Sequence, residues 1–189
     1  MGRFSITVHV KTKADNAGFI DLFRDMMSKR GFAECSADEA ERTYLFAFGG
    51  GGWATIASEW YRGTSGYDDA EKLAAELKTA AVVAEVVDSD FATLKLYLPD
   101  GSMNVVWIGD ASGYGIDNPP KPERSLWETL ITTDEDWERF CGIAEKDNVF
   151  VEDTLYEIAP VPGIAPEYIC ADDRDLIENE DCKAVYFKR

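Results

Sequence analysis

The chain has 189 residues, 46% of them hydrophobic and 12% aromatic, so it is long enough to bury its own core and lies outside the composition of disordered chains. With 36 acidic residues against 19 basic ones the net charge is −17, a field that repels nucleic acid and anionic membranes and favours a basic protein or a cation as partner. His9 is the sole histidine, which removes HExxH sites, multi-histidine metal centres and any Ser-His-Asp triad that does not use His9; no GxSxG or CxxC is present either.

The opening MGRFSITVHVKTK enters alternation directly, without the apolar region of an export signal, and Ile6 stands where a myristoylation pattern needs Ser or Thr. No run approaches the roughly 20 apolar residues of a membrane span, so a cytoplasmic protein is expected. In that reducing setting Cys35, Cys141, Cys170 and Cys182 read as free, buried thiols. Phe4, Ile6, Val8 and Val10 alternate with Ser5, Thr7 and His9, the period of a half-buried strand, with His9 expected at an exposed or sheet-face position. The next stretch changes period. Phe19, Leu22, Phe23, Met26 and Met27 recur at helical spacing, Asp15 or Asn16 is placed to cap the start, and Gly31 to end it.

TYLFAF (43–48) reads as a buried strand and WATIASEW (53–60) as another, joined by four glycines. GGGGWA matches the dinucleotide fingerprint literally, with Gly49, Gly51 and Ala54 at its three positions and Asp68 further on. That fingerprint needs a helix after the loop, and Trp53, Ile56, Ala57 and Trp60 do fall at helical spacing. Strand is preferred, because Asp68 begins a helix rather than ending a strand and the flanking residues are acidic. A P-loop is excluded, since no Lys-Ser/Thr pair follows. The run therefore reads as a mobile hairpin connection, longer than a hairpin needs, that lets the backbone twist or admits something close to it.

Ala70, Leu73, Ala74, Leu77 and Ala81 form one stripe of an amphipathic helix. Three strands follow, AVVAEVV, FATLKLYL and MNVVWI, the last two joined through Pro99, Asp100 and Gly101 in turn order. In FATLKLYL the row Ala92, Leu94, Leu96 and Leu98 is expected to face the helices. Phe91, Thr93, Lys95 and Tyr97 are left on a mixed face for the C-terminal helical segment to cover. The predicted class is α+β: a ferredoxin-like βαββαβ unit with a mostly antiparallel sheet, both helices on one face and an added β-hairpin. Residues 1–110 would form this sheet domain and 111–124 a Gly/Pro-rich loop. Residues 125–189 would be a helical extension packed on the sheet, opening with a Ser125/Glu128 capping box and ending in a short strand, AVYFK.

Candidate sites are few. Trp53, Trp60, Tyr61, Tyr97 and Trp107 lie in or near strands and form the candidate binding set. Asp88, Asp90 and Asp110 are the candidate ligands for a hard cation, although aspartates between strands are ordinary turn formers. The acidic DDRDLIENED lacks the glycine of an EF-hand loop and reads as a solvated face or partner contact. Trp53, then a helix, then DSD leading into LKLYLPDG, together spanning residues 45–105, resembles a group of bacterial cytosolic α+β proteins without assigned activity. The resemblance implies a strand at Trp53 and carries over no catalytic residue. The expected function is a non-enzymatic acidic protein-binding module of the immunity or inhibitor type, directed at a basic toxin or nuclease. Alternatives are a small-molecule-sensing regulatory domain and a carboxylate-based metal-dependent enzyme. No cofactor, nucleic acid or membrane is expected; the oligomeric state is open, a homodimer included.

Overall fold

A computed structural model describes residues 2–61, 65–179 and 181–189. The strands are β1 (Ser5–Lys11), β2 (Ala33–Glu34), β3 (Arg42–Gly49), β4 (Trp53–Ala57), β5 (Ala81–Val87), β6 (Phe91–Tyr97), β7 (Met103–Gly109) and β8 (Lys183–Lys188). The helices among the described residues are α1 (Asn16–Lys29), α2 (Ser65–Leu77), α3 (Arg124–Trp127), α4 (Asp134–Ala144), α5 (Val151–Ile158) and α6 (Asp173–Ile177). All eight strands join one open antiparallel sheet in the order β2-β8-β3-β4-β1-β5-β6-β7.

Local chemistry sets the element ends. Asp15 caps α1 by accepting from the Gly18 N–H at 2.8 Å, and Gly31 closes it at φ 82°. At the β6–β7 turn the Leu98 N–H donates to Ser102 O and Gly101 supplies φ 85°. Ala81, expected on the α2 stripe, is instead the first residue of β5, because Lys78 at φ 52° ends the helix before it. The Ser125/Glu128 capping box does not form: Glu123 occupies the cap position of α3 without a side-chain bond. The caps that do form are Thr133 on α4 and a reciprocal box between Asp172 and Asp175 on α6.

Alternation along the strands produces two buried faces. On one, Val8, Val10, Tyr44, Phe46, Ile56 and Val83 pack beneath α1 and α2, with Phe23 edge-on to Tyr44 and Phe46 at ring separations of 4.8 and 5.0 Å. On the other, Val82, Ala84, Leu94, Leu96, Val106 and Ile108 pack beneath Trp127, Phe140, Leu155 and Ile158. Each large side chain withdrawn from water contributes about 1.5–3 kcal/mol. The covers are therefore exchanged relative to expectation: the Ala92, Leu94, Leu96 row lies against the C-terminal helices. This follows from register: Leu94 and Leu96 lie beside Ala84 and Val82 on the face away from α2, while Lys95 and Tyr97 share the α2 face with Val83 and Ala81. Helix α2 lies over β1 and β5 and meets β6 at its margin, where Lys95 Nζ sits 3.7 Å above the Tyr67 ring.

Asn104 on β7 fastens that cover. Its Oδ1 accepts from Trp127 Nε1 at 2.9 Å and from the Glu123 N–H at 3.2 Å, and both Asn104 and Trp127 are buried. Asn104→Ala leaves two donors without an acceptor, at a cost of about 2 kcal/mol, readable as a lower urea midpoint. A change below about 0.5 kcal/mol would mean that Trp127 finds another acceptor and that Asn104 does not hold the segment.

Candidate functional site

The sheet is notched at the start of β1. β4 pairs with β1 only from Thr7 inward, opposite Ala57, whereas β5 continues to Ser5 opposite Val86. Ser58 causes the divergence. Its hydroxyl donates to Thr43 O at 2.6 Å and accepts from the Trp60 N–H, turning the chain into a 3-10 turn at Glu59–Tyr61. The gap beside Ser5 is a cavity of about 490 Å3, with Arg3, Phe4, Ser5, Tyr61, Glu85 and Asp173 in its wall. Phe4, expected on the buried side of β1, stands 59% exposed at the rim because β1 has already left the sheet there.

Among the described residues the wall carries more negative than positive charge. The Arg3 guanidinium pairs with Asp175, and its backbone N–H donates to Ser89 Oγ at 2.8 Å. Burial works against the Arg3 charge, but the neighbouring Cys170 and Asp175 outweigh it and raise its pKa. Arg174 is matched by Asp172, 2.5 Å away, whose carboxyl also caps α6 and stays below its ordinary range despite partial burial. Each guanidinium thus has its own carboxylate. Glu85 accepts from the Tyr67 hydroxyl, a neutral donor, and Asp173 makes no ion pair among the described residues. Ser5 is 6% exposed and its Oγ has no hydrogen-bond partner among the described residues.

Behind Tyr61 lies a buried ion pair, Asp69 with Arg30 at 2.6 Å. Burial raises the Asp69 carboxyl above its ordinary value even though Arg30 pulls the other way. Burial likewise raises the Tyr61 and Tyr44 hydroxyls, Tyr44 to about 12, with the Asp69 charge adding to both.

The five aromatic candidates are not brought together. Trp53 is buried on the C-terminal face, where its Nε1 donates to Pro162 O at 3.2 Å; Tyr61 is buried on the other face beside Tyr44. Trp60 is 46% exposed beneath the Arg42 guanidinium, Tyr97 lies half-buried on the α2 side, and Trp107 stacks on Phe91. Of the set, only Tyr61 reaches the cavity wall. Asp88, Asp90 and Asp110 gather at the opposite end of the hairpins from Gly101. Asp88 Oδ1 accepts from the Gly2 N–H and Asp110 Oδ1 from the Ser112 N–H, which lowers the Asp110 pKa. Among the described residues no three His, Cys, Asp or Glu side chains are placed to share a metal ion.

His9 takes the sheet-face position expected of it, but that face is covered by the segment around Ile169, so the ring is fully buried. Its hydrogen-bond partners among the described residues are neutral: Thr55 Oγ1, Thr7 Oγ1 and Ile169 O. The glycine run forms a close-packed turn. The chain turns sharply at Gly50–Gly52, where Gly51 and Gly52 take left-handed φ values of 77° and 74°, and Thr12 N–H and Lys11 Nζ donate to Gly52 O and Gly51 O. Residues 53–57 continue as strand, so no helix start faces the glycines. The thiols differ from expectation as well. Cys170 alone is buried, next to Tyr156, while Cys35 beyond β2, Cys141 on α4 and Cys182 before β8 remain partly exposed.

The cavity was missed at the sequence level, since nothing local shows that β4 ends before β1 does. One signal was present: DDRD, in the stretch read as a solvated face or partner contact, has the Asp-x-x-Asp spacing of a reciprocal cap, and the capped turn lies in the cavity wall. No family model, no curated protein and no solved structure matches the chain. No helix among the described residues is long and apolar enough to cross a membrane.

Proposed function

We propose that the protein is a non-enzymatic, cytoplasmic binding module for a basic protein, of the inhibitor or immunity type. One observation carries this reading: the chain bears 36 acidic against 19 basic residues, and its two sheet faces are already filled by its own helices. The charge therefore sits on the outside, where it accelerates encounter with a cationic surface. We further propose that β1, α1, β3, β4, α2 and β5 form a ferredoxin-like unit, with residues 125–189 as an extension of it. The neighbour order β3-β4-β1-β5 and the shared face of α1 and α2 support this.

The test is affinity capture from native lysate at about 50 mM and again at about 0.5 M salt, where screening removes steering between exposed charges. A stoichiometric partner of basic composition, retained at low salt and weakened at high salt, is the expected result. Recovery of no basic partner at low salt would remove the reading.

A further inference from the structure

We propose that the notch beside β1 is the anchor pocket of this module, seating one arginine or lysine side chain of the basic partner. The inference rests on the binding reading above and adds the place and the chemistry. Three observations point to it. The cavity, about 490 Å3, has room for a long side chain and the residues beside it. Its apolar wall, from Phe4, Ile6 and Val86, suits a methylene stem, with the exposed Phe4 ring placed to cover that stem at the mouth. The charged end then meets an environment whose cations, among the described residues, are already matched. Arg3 and Arg174 are matched by Asp175 and Asp172, leaving Glu85 and Asp173 in surplus, while the Ser5 hydroxyl, 6% exposed, has no hydrogen-bond partner among the described residues. An anionic side chain would face that surplus and the net charge of −17 together.

The probe is a fluorescently labelled nona-arginine peptide, followed by anisotropy, with nona-glutamate as the opposite charge. Three variants separate the pocket from the overall field. Asp173→Lys reverses a charge in the wall, Ser5→Leu fills the cavity, and Glu138→Lys makes the same charge change on α4, which packs against β7 at the far edge of the sheet. The expected result is at least a tenfold weaker affinity for Asp173→Lys and Ser5→Leu, against less than twofold for Glu138→Lys. Because Ser5→Leu alters a buried position, its unfolding curve is taken first, and Asp173→Lys decides if that variant does not fold. Free arginine amide should compete at high concentration if the pocket reads the side chain itself. Its failure to compete would overturn the pocket. Equal losses for Asp173→Lys and Glu138→Lys would also overturn the pocket while leaving a charge-driven binding module standing. Absence of nona-arginine binding to the unmodified protein would remove both.

Discussion

Gly51→Val should lower stability by about 4 kcal/mol, while Gly50→Ala, one residue earlier, should change it by well under 1 kcal/mol. The contrast comes from what each position touches. A Cβ on Gly51 would stand 2.7 Å from Gly163 O, a backbone atom with little room to retreat, and the residue holds φ 77°, where a β-branched side chain is strained. A Cβ on Gly50 meets nothing within 4 Å. Gly49 supplies a third case: its Cβ would come within 2.4 Å of the Ala165 Cβ at an ordinary φ of −78°. Gly49→Ala should therefore destabilise through crowding alone and recover most of the loss in combination with Ala165→Gly, a non-additive pair. Urea unfolding of the wild type, the four single variants Gly51→Val, Gly50→Ala, Gly49→Ala and Ala165→Gly, and the double variant measures all of this. Equal costs at Gly50 and Gly51, or no recovery in the double variant, would show that the glycines serve only as a flexible link.

The second large effect depends on pH. Burial among neutral partners lowers the His9 pKa to about 4, against about 6.5 in an unfolded chain. Between those values the unfolded chain holds the extra proton, so stability rises with pH across the window. The contribution is complete above about pH 6.5 and is lost as pH falls toward 4, amounting to roughly 3 kcal/mol at about 1.4 kcal/mol per pH unit. Asp69 acts in the opposite sense. Its folded pKa is raised, so its ionisation weakens the fold as pH climbs through the raised value, and the whole-protein curve mixes the two. The clean measurement is the difference between wild type and His9→Gln, each unfolded in urea from pH 7.5 to 4. The wild type should lose about 3 kcal/mol more over this range. Parallel curves would show that His9 keeps an ordinary proton affinity in the fold.

Much of the fold was legible because its signals are local. The alternation of Ile6, Val8 and Val10, the Asp15 cap with Gly31 at the end of α1, and the Pro99-Asp100-Gly101 turn each operate within a few residues, and each element forms where its pattern places it. The misreadings concern partners distant in the chain. Whether Leu94 and Leu96 would meet α2 or Trp127 depends on which face their register with Ala84 and Val82 gives them, which no period within the strand encodes. The glycines after Phe48 carry no mark of Gly163 and Ala165, whose approach explains them. Ser125 and Glu128 have capping-box spacing, yet α3 begins two residues too early to use it. For the site, Tyr61 was in view as an aromatic, but the notch it borders arises from a mismatch in strand lengths between β1 and β4.

The placement of β8 has a consequence for synthesis. Tyr44 and Phe46 on β3 find their lateral neighbours at Val185 and Lys183, so the outer edge of β3 emerges from the ribosome long before the strand that will seal it. Until then the nascent polypeptide displays an unpaired apolar ribbon of the kind that recruits other growing chains. Its abundant carboxylates keep such intermediates apart during that interval.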